Sequence, residues 1–310
     1  MRIAIIDLGT NTFNILIVEV EGNKDTKQLF QTKIPVKLGE GGINQGFITP
    51  IPFQRGIDAL VQYQLIIEEY GVDKIFAFAT SAIRSARNGS DFVNITKEKT
   101  GIEVQVISGD KEAELIYYGV RSAVKMTNDT SLIIAIGGGS TEFIIANKDQ
   151  IFWKQSFLLG AARLLEIFNP SDPITDKEIK TIKNYLRQEL QSLLDAVKKY
   201  PITELIGSSG SFDSLAEMIA HRFYTPEILK NITEYEFKLD DCSAIYDIII
   251  KSTKAERTAM KGLVLMRVDM MVISSILVHF IVSELEIEKI RLSTYSLKEG
   301  VLWEVMKNNK

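Results

Sequence analysis

Glu112 is the residue of this chain whose type and position best suit acid–base chemistry. It follows an apolar strand predicted over 104–107 and lies in the first turn of a helix predicted over 111–126. A carboxylate there is commonly structural, because the helix dipole favours negative charge at a helix start. It can also be a general base that takes a proton from water. We expect the adjacent Lys111 to favour the ionised form of Glu112.

Two similar stretches are suited to holding phosphate. Residues 5–18 (IIDLGTNTFNILIV) and 133–146 (IIAIGGGSTEFIIA) each place a small polar cluster between two apolar runs, which is the pattern of a β-hairpin. Glycines let backbone N–H groups turn toward an anion, and hydroxyls add donors. The near-repeat favours two phosphate-binding loops over two ordinary tight hairpins. Their residues are Gly9, Thr10 and Asn11 in the first loop, and Gly137, Gly138, Gly139, Ser140 and Thr141 in the second.

Two carboxylates adjoin these loops and are candidate metal ligands. Glu142 directly follows the second loop, and Asp7 precedes the first. A carboxylate beside a phosphate is repelled unless a cation lies between them, so we predict that Glu142 and Asp7 bind Mg²⁺. With two histidines and one cysteine in the chain, a zinc site is not expected. The alternative for Glu142 is a strand residue that faces solvent.

Arg84 follows an apolar strand predicted over 74–79. Ligands of α/β sheets bind beyond the carboxyl ends of the strands, and a guanidinium group can bind phosphate with two parallel hydrogen bonds. Arg84 is therefore a candidate phosphate ligand. The alternative is an ordinary surface ion pair.

A second cationic region lies further along the chain. Arg267 is the last of four cationic residues within fourteen positions, and a Gly- and Ser-rich loop ends a strand predicted over 205–210. A run of charge is commonly a solvated face, but it can also line a groove for an extended polyanion. The residues of this candidate groove are Arg267, Gly207, Ser208 and Gly210.

Composition argues against several classes of protein. The 310 residues carry a formal net charge of −4, whereas nucleic-acid binders are more often basic, so neither DNA nor RNA is expected as a partner. A single cysteine permits no intramolecular disulfide, which fits a reducing cytoplasm. We expect no signal peptide, and no apolar run reaches membrane-spanning length. The length suggests two domains.

The elements expected around these residues alternate between strand and helix, which is typical of an α/β fold. A helix over 90–100 is expected to begin at a Ser90 cap, and 175–200 is expected to form one long helix with a capping box from Thr175 to Glu178. Residues 223–238 are expected to be irregular. Other helices are expected at 53–70, 157–169, from 212, 240–251, 267–284 and 296–306, and a further strand at 288–292. The apolar helix over 267–284 is a candidate homodimer interface.

Eight short motifs occur in order along the whole chain. They are DLGTNTF at 7–13, ATSAIRSARNG at 79–89, ISGDKEAELIYYGV at 107–120, IGGGSTEF at 136–143, LGAARL at 159–164, GSSGSFDSLA at 207–216, RVDM at 267–270 and SLKEGVL at 296–302. Together they resemble the exopolyphosphatase / guanosine pentaphosphate phosphohydrolase family, in its short, two-domain form.

The resemblance implies an α/β fold of two ribonuclease-H-like (actin-like ATPase) lobes, each a mixed β-sheet flanked by helices, with the site in the cleft between them. The N-terminal lobe would span 1–125, joined by a C-terminal helix at about 296–310, and the C-terminal lobe 126–295. The implied activity is the release of terminal phosphate from polyphosphate or guanosine pentaphosphate by Mg²⁺-assisted attack of water. Guanosine tetraphosphate is a further implied ligand, in a cytoplasmic enzyme of the stringent response.

The family's functional residues map onto the candidates above. Glu112 matches the catalytic base, Arg84 a phosphate-binding arginine and Glu142 an acid implicated in Mg²⁺ binding. The two Gly-rich loops match the family's phosphate clamps.

Four positions depart from the family pattern. Ala135 replaces the usual Asp that is implicated with Glu142 at the metal, and Lys111 replaces a frequent second acid beside Glu112. Asn14 replaces a common basic or aromatic-basic residue, and Lys298 replaces the usual Arg of the last helix. The missing acid leaves open a weakly active or non-catalytic sensor that binds polyphosphate or an alarmone. An actin-like ATPase or kinase is the other alternative, and it would need an adenosine pocket near 207–210.

Overall fold

The computed structural model describes residues 1–21 and 25–308. The chain divides into two compact units: Met1–Gly119 with Leu297–Lys310 form unit 1, and Val120–Ser296 form unit 2. Each unit has its own sheet and its own core of buried apolar side chains. The end of the predicted C-terminal helix, at 309–310, lies outside the described residues.

The sheet of unit 1 is mixed. Its strands within the described ranges are β1 (Arg2–Leu8), β2 (Thr12–Glu21), β3 (Asp25–Pro35), β4 (Lys74–Ala79) and β5 (Val104–Val106), in the spatial order β3-β2-β1-β4-β5. β1 pairs antiparallel with β2 and parallel with β4, so it lies inside the sheet. Its apolar residues, Ile3 to Ile6, are fully buried for that reason.

The sheet of unit 2 is also mixed. Its strands in the described part of the chain are β6 (Ser131–Ile136), β7 (Thr141–Ala146), β8 (Ile151–Phe157), β9 (Glu204–Ser208), β10 (Glu234–Phe237) and β11 (Ile290–Ser293), in the order β10-β11-β9-β6-β7-β8. β6 pairs antiparallel with β7 and parallel with β9. The antiparallel meander β6-β7-β8 and the parallel strands β9 and β11 thus repeat the plan of unit 1, with β10 added at the edge.

Helices flank both sheets. In chain order they are α1 (Pro50–Glu69), α2 (Ser81–Ser85), α3 (Gly89–Thr100), α4 (Gly109–Ala123), α5 (Ala161–Phe168), α6 (Asp176–Glu189), α7 (Gln191–Lys199), α8 (Gly210–Phe223), α9 (Leu239–Lys251), α10 (Lys254–Ala259), α11 (Met270–Glu284) and α12 (Leu297–Asn308), with short 3₁₀ turns at Ile43–Gln45, Pro226–Leu229 and Leu265–Arg267. The predicted α/β fold of two mixed sheets flanked by helices is confirmed.

Three strands are absent from the sequence prediction. β3 and β10 lie at sheet edges in the described structure, and polar residues interrupt both, so neither shows a clean apolar run. β8 is half-buried along nearly all its length and shows no alternation. The prediction that 223–238 is irregular is therefore wrong at β10.

Three helix predictions also need correction. The single helix predicted over 175–200 is two helices that meet at Leu190, although the capping box between Thr175 and Glu178 is confirmed. The apolar stripe continues through the buried Leu190, which is why the pattern hides the break. The Ser90 cap is wrong, because α3 begins at Gly89 after Asn88. The apolar helix predicted from 267 begins at Met270.

The C-terminal helix α12 packs closely against α4 within unit 1. A Cβ atom on Gly300 would overlap the carbonyl oxygen of Leu115, so the two backbones approach as near as glycine permits. The Trp303 ring stacks on the ring of Tyr118, with centroids 4.1 Å apart. α12 therefore fixes the position of the helix that carries Glu112.

Gly300→Ala tests this packing. At an exposed site within a helix, the change would stabilise the protein by about 1 kcal/mol because alanine has the higher helix propensity. Here we expect the free energy of unfolding to fall by about 1–3 kcal/mol, since the methyl group must push α12 away from α4. Denaturant unfolding monitored by circular dichroism measures the change. A gain in stability would contradict the close approach.

Candidate active site

The second loop, 137–141, leaves three of its backbone donors available to an anion. The N–H groups of Ala161 and Ala162 donate to the carbonyl oxygens of Gly137 and Gly138, both at 2.9 Å. Arg163 Nε donates to the carbonyl oxygen of Gly139 at 2.9 Å. The loop carbonyls therefore point toward α5. Among the described residues, no partner is found for the backbone N–H groups of Gly138, Gly139 and Ser140.

Close packing holds this loop in place. A Cβ atom on Gly160 would overlap backbone atoms of Gly138 and Gly139, so only glycine lets α5 approach the loop this closely. Thr141 Oγ1 donates to the carbonyl oxygen of Leu159 at 2.8 Å, so this hydroxyl supports the loop from behind. Arg163, which is 7% exposed, is a loop support that the motif analysis did not single out, although it lies in the LGAARL motif.

The first loop, 9–11, has the same turn. Gly9 N donates to the carbonyl oxygen of Thr12 at 3.2 Å, as Gly137 N does to that of Ser140 at 3.0 Å. A Cβ atom on Gly9 would lie 2.8 Å from the Thr12 oxygen, which explains the glycine. The carbonyl oxygens of Thr10 and Asn11 accept from backbone N–H groups of residues 36–38. The hairpin repeat predicted from sequence is thus confirmed in backbone geometry.

Glu112 and Arg84 are brought together in unit 1. Arg84 Nη1 donates to Glu112 Oε2 at 2.7 Å and to the carbonyl oxygen of Ile107 at 3.1 Å. Burial raises the pKa of Glu112 above its ordinary value, although the charge and hydrogen bond of Arg84 act in the opposite direction. A carboxylate with a raised pKa is a better proton acceptor, as a general base must be. The surface-pair alternative for Arg84 is wrong, since Glu112 is 7% exposed.

Lys111 does not act on Glu112 as predicted. Its ammonium group pairs with Glu304 of α12 and lies 3.8 Å from Glu114. The pKa of Glu112 is governed by burial and by Arg84, without a contribution from Lys111. The prediction that Lys111 favours the ionised base is therefore wrong, because Lys111 faces α12.

Asp7 lies opposite Asn14 across the first hairpin. Asn14 Nδ2 donates to Asp7 Oδ2 at 3.1 Å. Burial, and then the negative charge of Glu112, raise the pKa of Asp7 to about 7, with Lys298 opposing them. The carboxyl group therefore keeps its proton to a much higher pH than an ordinary aspartate does.

Glu142 lies opposite Ala135 across the second hairpin, so an acid at 135 would be its direct neighbour. Glu142 is 2% exposed, and Ser156 Oγ donates to its Oε1 atom at 2.8 Å. The alternative of a solvent-facing strand residue is therefore wrong.

Asp7 in unit 1 and Glu142 in unit 2 each present the type of ligand that Mg²⁺ takes, and the metal itself stays a prediction. No group of three or more His, Cys, Asp or Glu side chains in the described structure is placed to hold a metal. Mg²⁺ does not need one, because it keeps several waters and is commonly bound through one or two carboxylates and the substrate phosphates. Asp7 and Glu142 each supply one carboxylate of the required kind.

The candidate polyanion groove is only partly assembled in unit 2. The guanidinium group of Arg267 lies against Gly210, and Arg267 Nη1 donates to Ser214 Oγ at 3.3 Å. Gly207 is buried beneath the Phe212 ring, and the fully buried Ser208 donates its hydroxyl hydrogen to the carbonyl oxygen of Tyr295. Their burial argues against a groove role for Gly207 and Ser208, while Arg267 with Gly210 stays a prediction.

Ser81 is a further candidate donor that the motif analysis did not single out. Its hydroxyl is, within the described residues, the one buried side-chain polar atom without a hydrogen-bond partner. It is the first residue of α2, two positions after the end of β4 and one helical turn before Arg84. The TSAIR sequence is the signal that could have indicated it.

The family is established by comparison with known proteins. The Ppx/GppA phosphatase family model matches residues 16–309, so the chain belongs to the Ppx/GppA phosphatase family. It is therefore a phosphoanhydride hydrolase by class, as the resemblance implies. No helix in the described part of the chain is long and apolar enough to cross a membrane.

Named relatives cover nearly the whole chain. The crystal structure of an exopolyphosphatase from Cytophaga hutchinsonii shares 40% identity at a TM-score of 0.95, over 99% of this chain and 98% of that one. The Ppx/GppA family member from Aquifex aeolicus shares 25% identity at a TM-score of 0.81, over 100% and 99%. Exopolyphosphatase 1 of Mycobacterium bovis is 26% identical over 97% of this chain and 87% of its own length. The predicted actin-like fold class is confirmed.

Arg84→Gln tests the electrostatics of Glu112. Without the guanidinium charge, burial acts unopposed, so we expect the pKa of Glu112 to rise further. The titration is measured by NMR on protein labelled with ¹³C in its glutamate carboxyl groups, with the Glu112 signal assigned from Glu112→Gln. Arg87→Gln, on a nearby exposed arginine, is the matched control. An unmoved midpoint in Arg84→Gln would show that Arg84 does not tune this group.

Proposed function

We propose that this protein hydrolyses the terminal phosphoanhydride bond of inorganic polyphosphate. The observation that carries the proposal is the buried Glu112 carboxylate, held by Arg84 at 2.7 Å. A buried base beside a fixed guanidinium group suits a reaction in which water attacks a charged phosphoryl group. The relatives called exopolyphosphatases support polyphosphate as the substrate.

In the proposed reaction, Glu112 accepts a proton from a water molecule. The water oxygen forms a bond to the terminal phosphorus, and the bridging P–O bond breaks, so that inorganic phosphate and a shortened chain are released. Arg84 has Nη1 committed to Glu112 and Ile107, and its Nε and Nη2 atoms can donate to the phosphate. Arg84 would thereby set the distance between base and substrate.

The loops are proposed to bind the other phosphate oxygens. Backbone N–H groups of Gly138, Gly139 and Ser140 are preorganised donors, because their loop cannot move without disturbing α5. Asp7 and Glu142 are the proposed ligands of Mg²⁺, which when bound would offset the charge of the phosphoryl group. Loss of the Asp7 proton, at a pKa of about 7, would accompany metal binding.

Guanosine pentaphosphate is the second proposed substrate. It ends in the same phosphoanhydride group, and the matching family model carries both Ppx and GppA in its name. The same residues would act on either compound, so both belong in the assay.

Glu112→Gln is the first test of this proposal. We expect phosphate release from polyphosphate, in the presence of Mg²⁺, to fall by roughly 10²–10⁴-fold, since the amide cannot accept the proton. Asp110→Asn is the matched control, because Asp110 is an exposed acid in the same first turn of α4. Equal rates in wild type and Glu112→Gln would remove Glu112 from this role. Absence of turnover in wild type, with tight polyphosphate binding by calorimetry, would favour the sensor alternative.

Ala135→Asp tests the metal assignment. The new carboxylate would face Glu142 across the hairpin, so we expect half-maximal activity at a roughly tenfold lower Mg²⁺ concentration. Ala135→Asn has nearly the same size without the charge and should leave the Mg²⁺ dependence near that of wild type. The same Mg²⁺ dependence in Ala135→Asp and Ala135→Asn would argue against a metal at Glu142.

A further inference from the structure

Helix α11 has one polar stripe on an otherwise apolar surface. Its sequence is MMVISSILVHFIVSE, and Ser274, Ser275, His279 and Ser283 are its only polar residues before the terminal Glu284. All four line a single cavity of about 270 Å³ in unit 2. Placing polar side chains on a buried helix costs free energy unless they find partners. The four polar side chains therefore share one face of α11, and that face borders the cavity.

Three helices form the cavity walls. Serines and a histidine of α11 face α9, and the start of α8 contributes Ser211. Most of the remaining wall is apolar, including Leu215, Met271 and Val278. None of the residues predicted to bind phosphate or metal lines it. The cavity is therefore separate from the loops of the proposed active site.

Ser275 offers the cavity an unused hydroxyl group. It is 7% exposed, and its hydroxyl has no hydrogen-bond partner in the described structure. Its neighbour Ser274 differs, because its hydroxyl lies 3.0 Å from that of Ser211. The Ser275 hydroxyl, which borders the cavity, can therefore donate a hydrogen bond to a ligand or accept one from it.

His279 is held in a single neutral form. Lys183 Nζ lies 3.2 Å from His279 Nδ1, and Ser283 Oγ lies 3.3 Å from the same atom. An ammonium group can only donate, so Nδ1 accepts and the ring proton lies on Nε2. Burial, and then the Lys183 charge, lower the pKa of His279 and keep it neutral. Tyr246 stacks on the ring at 4.0 Å and fixes its orientation.

The charge of the lining selects against anions. Asp240 is its only charged side chain among the described residues, and no Lys or Arg lines the cavity. Burial raises the pKa of Cys242 to about 12, so that side chain is a neutral thiol. A phosphate group would find no cation here, which separates this cavity from a site for the phosphate chain.

We propose that this cavity binds an uncharged nitrogen heterocycle of nucleobase or nucleoside size. A planar ring can pack against the apolar walls beside the His279–Tyr246 stack, while its polar edge bonds Ser275 and the imidazole N–H group. The volume lies just below that of typical drug-sized pockets, which favours one ring system over a larger ligand.

Calorimetry with adenosine, guanosine, indole and inorganic phosphate tests the proposal. We expect a nucleoside to bind more tightly than indole, which offers the ring without the polar edge, and phosphate not to bind in this cavity. Ser275→Ala should weaken nucleoside binding roughly fivefold, as expected for one lost hydrogen bond. Ser275→Leu should weaken it at least tenfold because the side chain fills the space.

The controls separate loss of binding from loss of folding. Ser192→Leu introduces the same side chain on the exposed face of α7 and should bind as wild type does. Thermal melting by circular dichroism shows whether each variant is folded, without reference to phosphatase activity. Nucleoside binding no tighter than that of indole, or unchanged in folded Ser275→Leu, would overturn the proposal.

Discussion

The direction of the loop carbonyl groups is the constraint on which the second phosphate loop depends. Each peptide group has an acceptor and a donor on opposite sides, so a loop that bonds its carbonyls inward turns its N–H groups outward. The carbonyls of Gly137 and Gly138 are taken by the first turn of α5, and that of Gly139 by Arg163. Gly160 makes this possible because any side chain there would collide with the loop. The contacts of the loop with α5, Arg163 and Gly160 therefore orient its N–H groups for an anion, although none of these contacts involves the anion itself.

In unit 1, burial and neighbouring charges act in opposite directions on the pKa values of two carboxyl groups. Glu112 and Asp7 are both withdrawn from water, and their mutual repulsion adds to the cost of charging Asp7. Arg84 opposes this effect at Glu112, while Asn14 and Lys298 oppose it at Asp7. One carboxylate is therefore paired with a guanidinium group, whereas the pKa of the other is raised toward neutrality. The two acids differ in chemistry because their neighbours differ, as in other sites where the environment separates two carboxyl groups.

The sequence predicts which residues form the candidate site better than it predicts the contacts that hold those residues in place. Glycines and hydroxyls in the two hairpins, Glu112 at a helix start and Arg84 after a strand are local patterns, and the structure pairs Arg84 with Glu112. The partner of Lys111 is not local, because Glu304 lies nearly two hundred residues away in the sequence. Local patterns therefore could not show that Glu304 of α12 pairs with the Lys111 charge. The edge strands β3 and β10 mix polar and apolar residues, so their sequences lack the apolar run or the alternation that would predict a strand. Gly207 and Ser208 are accounted for by buried contacts rather than by a ligand. Gly207 packs against the Phe212 ring, and Ser208 bonds to Tyr295, which is distant in sequence, so local patterns could not indicate either contact.

The division of the chain has a consequence for its biosynthesis. Unit 1 is completed by α12, whereas unit 2 consists of residues that lie between the two parts of unit 1. All residues of unit 2 are therefore synthesised before the segment that packs against Leu115 and stacks on Tyr118. Until then, the side of α4 next to Glu112 presents unpaired aromatic and apolar surface to the cell. Unit 1 can therefore finish folding only after unit 2 has been synthesised, and a nascent chain would acquire its proposed base in final form only once α12 has been made.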